Sequence, residues 1–214
     1  MKIVFQGDSI TDAGRVYTND AIAGHGYPLL VKGELGFAAP DKFEFVNRGI
    51  SGNRIVDLYA RMKKDIINLK PDIMSILIGV NDVWHEFGAS PNGVAADKYF
   101  KIYDMLIEEL KAALPDLKIM ILEPFILESA IVPEAWATME SREQIRSEVQ
   151  MRAQMAKKIA EKHDLVFVPL QEGFDALCLQ APAQYWLGDG VHPTTMGHEY
   201  IKKQWMKAFR TLDV

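Results

Sequence analysis

The sequence predicts an α/β fold: a three-layer α/β/α sandwich around a five-stranded parallel sheet, in the flavodoxin-like order 2-1-3-4-5. Three observations predict it. Short apolar runs alternate with longer stretches of helical periodicity, five times over. Two of the runs, 73–78 and 117–122, are nearly continuous Ile, Leu, Met and Val, as in strands covered on both faces. No linker, repeat or low-complexity stretch divides the 214 residues, so 1–214 reads as a single domain.

The strand candidates are 2–6, 43–47, 73–78, 117–122 and 165–168. The helix candidates are 27–35, 55–69, 99–114, 141–163 and 195–209. In the second, Ile55, Leu58, Met62, Ile66 and Leu69 fall on one stripe. In the third, Tyr99, Tyr103, Leu106, Leu110 and Leu114 do so, and Pro115 stops the run. Residues 124–140 are apolar but aperiodic. A long connection of this kind suits a cover over a site or an interface between copies.

Composition narrows the functional classes. A net charge of −5 without basic clusters argues against nucleic-acid binding. No stretch reaches the roughly 20 apolar residues of a membrane span, and the first apolar run is too short for a signal-peptide core. Cys178 is the only cysteine, so no intrachain disulfide forms. These features predict a cytoplasmic protein.

Polar residues concentrate where strands should end. Gly7-Asp8-Ser9 follows the first strand, Asn47 to Asn53 the second and Gly79-Val80-Asn81-Asp82 the third. In an open parallel sheet these ends share one rim. Asp189 and His192 sit three apart in a Gly/Pro-rich loop before the last helix. Together they hold the parts of serine acyl transfer. Ser9 is the nucleophile, His192 the general base and Asp189 its orienter. The Ser9 and Gly52 backbone N–H groups and the Asn81 amide are the oxyanion donors. Each has a plainer reading. Ser9 suits a helix N-cap, Asn81 a loop brace and Asp8 a turn.

With those residues in place, the chain resembles the SGNH (GDSL-type) hydrolases. Ser9, Gly52, Asn81 and His192 match the four residues of the family name, in order, across most of the chain. Ile10 stands where the GDSL pattern has Leu. The resemblance implies an ester hydrolase with no metal or organic cofactor. Gly-Asp-Ser-Ile-Thr-Asp, Asn-Arg-Gly-Ile-Ser-Gly-Asn and Gly-Val-Asn-Asp-Val-Trp resemble most the bacterial branch with acetylxylan esterases. That branch tends to carry an aromatic residue beside the aspartate, where this chain has Gly188. The implied substrate is an acetylated oligosaccharide, with Trp84, Tyr185 and Trp186 as candidate sugar-binding aromatics. His85 is a further candidate for the pocket lining. Arg54 reads as a helix-start residue, His163 as a helix end and His198 as packing. Asp12, Asp82 and the histidines show no metal-ligand spacing. The alternatives are a lysophospholipase- or thioesterase-type lipid esterase and a non-catalytic flavodoxin-like module.

Overall fold

The computed structural model describes residues 1–87, 90–131 and 139–212, with 139 and 140 as backbone alone. Five strands, β1 (Lys2–Gly7), β2 (Glu44–Asn47), β3 (Ile73–Leu77), β4 (Lys118–Leu122) and β5 (Val166–Val168), form one parallel sheet. Their order is β2-β1-β3-β4-β5, as expected. The expected strands all occur, each with ends shifted by no more than a residue.

Side chains of β1 alternate between two cores. Ile3 and Phe5 join one, Val4 the other. The first core takes in Tyr27, Val31 and Leu35 of α2 (Tyr27–Ala38) and Ile201, Trp205 and Met206 of α9 (Thr195–Phe209). The second takes in Ile55 and Leu58 of α3 (Ile55–Asp65) and Tyr99, Tyr103 and Leu106 of α5 (Ala96–Ala113). The long α6 (Met139–His163) serves both: Ile145 and Val149 enter the first core, Ala156 and Ile159 the second. Helices therefore cover both faces, and period-2 alternation along the strands sorts the two cores.

Where the elements differ from expectation, the cause is local. The stripe over 55–69 breaks at Ile66 (φ −135°) and resumes as a 3₁₀ turn, Ile67–Leu69. Four short helices lack enough residues to show a period: α1 (Ser9–Asp12), α4 (Val80–Trp84), α7 (Gln171–Leu177) and α8 (Ala183–Trp186). Of the apolar connection 124–140, residues 132–138 lie outside the described residues. Its first part is buried: Phe125, Ile126 and Leu127 are 0%, 0% and 3% exposed. Among the described residues, no helix is long and apolar enough to cross a membrane.

The end of β2 is locked to the first rim loop by Asn47, itself 3% exposed. Its Nδ2 donates to Thr11 O (2.7 Å) and Ala23 O (2.9 Å), and its Oδ1 accepts from Gly49 N (2.9 Å). Replacing Asn47 by Ala strands three buried backbone groups. The expected loss is about 2–4 kcal/mol, read as a lower urea midpoint with an unchanged slope.

Candidate active site

Ser9 opens α1 directly after β1. Asp8, not Ser9, is the N-cap: its Oδ1 accepts from Ile10 N at 2.9 Å. The plainer reading of Asp8 as the residue that orders the turn is the observed one, and it leaves the Ser9 hydroxyl free for other work.

That hydroxyl lies 2.8 Å from His192 Nε2, across 183 residues of sequence. His192 Nδ1 lies 2.6 Å from Asp189 Oδ2. The loop that carries both is closed on itself. Leu187 and Pro193 form an antiparallel bridge, Gly188 N donates to His192 O (3.0 Å), and Leu127 N donates to Gly190 O (2.9 Å), which ties the loop to the segment after β4. Asp189 Oδ1 also accepts from the Val191 and His192 backbone N–H groups, at 3.0 and 2.8 Å. Burial alone would raise the Asp189 carboxyl. The His192 ring and these two N–H groups outweigh it and hold the group down at about 2. The Asp189 hydrogen bond in turn raises His192 above its ordinary value, against the opposing effect of burial. An imidazole held this way presents Nε2 to a hydroxyl and gains stability when it takes that proton.

Gly52 and Asn81 converge on the same rim. Asn53 N donates to Ile50 O at 3.1 Å, which makes 50–53 a β-turn with Gly52 in third place. Gly52 has φ +80°, the value a type II turn requires there. A Cβ on Gly52 would come no nearer than 3.9 Å to another residue, His85 Cε1. The demand for glycine is therefore conformational rather than steric. The same distance puts the His85 ring beside the turn. Asn81, 6% exposed, follows Gly79 (φ +139°) at the start of α4. Its Nδ2 donates to Asn53 O at 3.1 Å, which uses one of two amide hydrogens.

Several neighbours serve as braces. Arg54 caps α3 with Asp57 and donates to Asn92 O, so it is a helix-start residue. Asp82 accepts from Ile55 N (3.1 Å), which pins α3 to the β3 rim; burial raises its carboxyl to about 7. Arg61 shows no sequence signal among the charges of its helix. Its guanidinium donates to Gly7 O (3.2 Å), Arg48 O (2.9 Å) and Asn53 Oδ1 (2.7 Å), joining the end of β1 to the second rim loop. His198 is buried packing, accepting from Tyr27 N through Nδ1.

The three aromatic candidates each have contacts of their own in the fold. Trp84 packs against the first core. Trp186 donates Nε1 to Leu177 O (3.1 Å) and Ala181 O (3.3 Å). With Tyr185 it lines a cavity of about 610 Å³ along α9 that Ser9, Asn81 and His192 do not line. Among the described residues, Asp104, Glu108 and His163 bring three ligand-type atoms together, but Lys162 already donates to Asp104 at 2.6 and 2.8 Å.

Comparison with known proteins decides the family. A sequence model of the GDSL-like lipase/acylhydrolase family matches residues 5–200. The chain belongs to that family. This acylhydrolase is 32% identical to an acetylxylan esterase of Geobacillus stearothermophilus, over 96% of this chain and 92% of that protein. A crystal structure of a protein taken to be a GDSL-like lipase, from Parabacteroides merdae, superposes with a TM-score of 0.85 at 37% identity, covering 97% of this chain and 94% of that one. A catalytic mutant of the Geobacillus esterase, with an aspartate changed to alanine, superposes at 0.84 with 30% identity, covering 97% and 93%. Another catalytic mutant of the same esterase has a serine changed to alanine. The acylhydrolase is thus a carboxylic ester hydrolase, which sets aside the non-catalytic module.

The charge on Asp8 provides a test of the site's electrostatics. Burial raises Asp8 to about 7, and its carboxylate favours a protonated His192. If His192 is the general base it must be neutral to act, and kcat/KM then rises as pH passes upward through its value, which the Asp189 hydrogen bond holds above the ordinary imidazole range. Asp8→Asn keeps an oxygen for Ile10 N and removes the charge. The acid limb of the kcat/KM profile shifts to lower pH; a limb that stays or moves up contradicts the assignment. The two groups titrate as a pair, so the profile reports their joint behaviour.

Proposed function

We propose that this chain is a one-domain serine acetylesterase that removes O-acetyl groups from short sugar chains. The observation that carries the reading is the 2.8 Å contact between Ser9 Oγ and His192 Nε2. The ionised Asp189 backs it. Ser9 Oγ attacks the acetyl carbonyl carbon as His192 Nε2 takes the hydroxyl proton. The carbonyl oxygen becomes an oxyanion, met by the Ser9 and Gly52 N–H groups and the Asn81 amide. Collapse breaks the bond to the sugar oxygen, which leaves with the proton from His192. Water then gives a proton to His192 as it attacks the acetyl-Ser9 ester; collapse breaks the bond to Ser9 Oγ, which takes that proton back from His192, and the acetyl group leaves as acetic acid, which ionises to acetate.

The acetyl group and the sugar rest on similarity to the Geobacillus acetylxylan esterase. A cytoplasmic setting is the reading that fits a single cysteine. The family's description as lipase and acylhydrolase keeps a lipid ester as the second reading.

Ser9→Ala is expected to abolish p-nitrophenyl acetate hydrolysis and fluorophosphonate labelling; parent-level turnover would overturn the mechanism. Asp189→Asn is expected to lower kcat on the order of 10³–10⁴-fold, through loss of the correct imidazole tautomer. Substrate class is decided by product analysis on acetylated xylo-oligosaccharides beside p-nitrophenyl esters of increasing length. Acetate release with a two-carbon optimum supports the proposal. An optimum at long acyl chains with no acetate from sugars supports the lipid ester.

A further inference from the structure

We infer that Asp12 is a positioning residue for this hydrolysis: its buried carboxylate holds the 50–53 turn so that the Gly52 N–H faces the oxyanion. The inference rests on the esterase reading above and concerns a residue that never touches the substrate.

Asp12 closes α1, three residues after Ser9, and is 3% exposed. Its Oδ2 gathers three donors: Ser51 N at 3.1 Å, Ser51 Oγ at 3.0 Å and Tyr17 OH at 2.5 Å. Its Oδ1 accepts from Arg15 N at 3.2 Å. Arg15 then reaches the same loop, donating Nε to Gly49 O at 2.6 Å while its guanidinium lies 4.0 Å over the Tyr17 ring. The two segments are in direct contact, since a Cβ on Gly49 would fall 2.2 Å from Asp12 N.

Ser51 is exposed, yet both its N–H and its hydroxyl are given to one buried oxygen. A loop residue without another duty would leave both to water. Ser51 is the second residue of the turn and Gly52 the third, so the peptide between them is the turn's central one. Types I and II differ by a flip of that peptide, which reverses the direction of the Gly52 N–H. Gly52 at φ +80° sets the far side of the peptide, and Asp12 fixes the near side through Ser51. The carboxylate thus couples the nucleophile's helix to the second oxyanion donor. A donor misplaced by about an ångström loses much of its effect, because the transition-state charge must be met without reorganisation.

The test compares Asp12→Ala, Asp12→Asn and Ser51→Ala on p-nitrophenyl acetate, with active sites counted by fluorophosphonate end-point titration and Ser9→Ala as control. Asp12→Ala is expected to lower kcat per titrated site about tenfold to a hundredfold, with KM within about twofold. Asp12→Asn keeps one acceptor oxygen and Ser51→Ala keeps the backbone bond, so both fall less. Affinity for a trifluoromethyl ketone, which forms a tetrahedral adduct, weakens in step with kcat. Should Asp12→Ala fail to fold, Asp12→Asn and Ser51→Ala decide on the same readouts. Unchanged kcat per site, or a loss confined to KM or to thermal stability, overturns the inference. If that happens while Ser9→Ala is inactive, Asp12 alone is demoted. If Ser9→Ala is active, the esterase reading fails first.

Discussion

Strand β1 pairs in parallel with β2 on one side and β3 on the other, and the site depends on that pairing. Register sets Phe5 opposite Asn47 and Gly7 opposite Leu77. β1 and β3 therefore end together and β2 two residues earlier, and the segments that leave the three strands carry Ser9, Asn81 and Gly52. Side-chain chemistry at the rim is possible because the backbone has already brought three distant stretches within reach. Two buried cores, one on each face, stabilise the arrangement, and period-2 alternation assigns residues to each.

On that platform the polar network is dense. Asn47, Arg61 and Asp12 each cross from one segment to another with two or more hydrogen bonds. Buried groups of this kind are strong only when fully paired, and costly when one partner is removed. Their directions matter as much as their energies. They leave the Ser9 hydroxyl and the Gly52 N–H as groups not used to hold the fold. Asp189 and His192 come from elsewhere, on a loop closed by its own bridge, so their orientation toward each other is set within that loop.

Much of this was legible in the sequence. Short apolar runs gave the strands, and longer helical periods the major helices, since burial on two faces leaves a clear pattern. The residues gathered at the rim were legible because Gly, Asp, Asn and Ser cluster directly after three strand candidates, and Asp189 with His192 in a Gly/Pro-rich loop. The braces were not legible. Arg61 lies in a charged helical run that looks like a solvated face. Asp12 looks like any acid beside a turn until Ser51 folds against it. Tyr185 and Trp186 are neighbours of Asp189 in sequence, and α8 turns the Trp186 ring nitrogen toward Leu177 and Ala181, a contact that no periodicity announces. Short helices such as α1 and α4 are set by caps and tertiary contacts, which period analysis does not see.

The central claim is that Ser9 carries the acyl group between its two owners. Rapid acid quench during turnover of p-nitrophenyl acetate, followed by proteolysis and mass spectrometry, tests it most directly. The account predicts one acetyl group on the peptide that contains Ser9, lost on longer incubation after substrate is exhausted. An acetyl group on another residue, or steady turnover with Ser9 never modified, would contradict it.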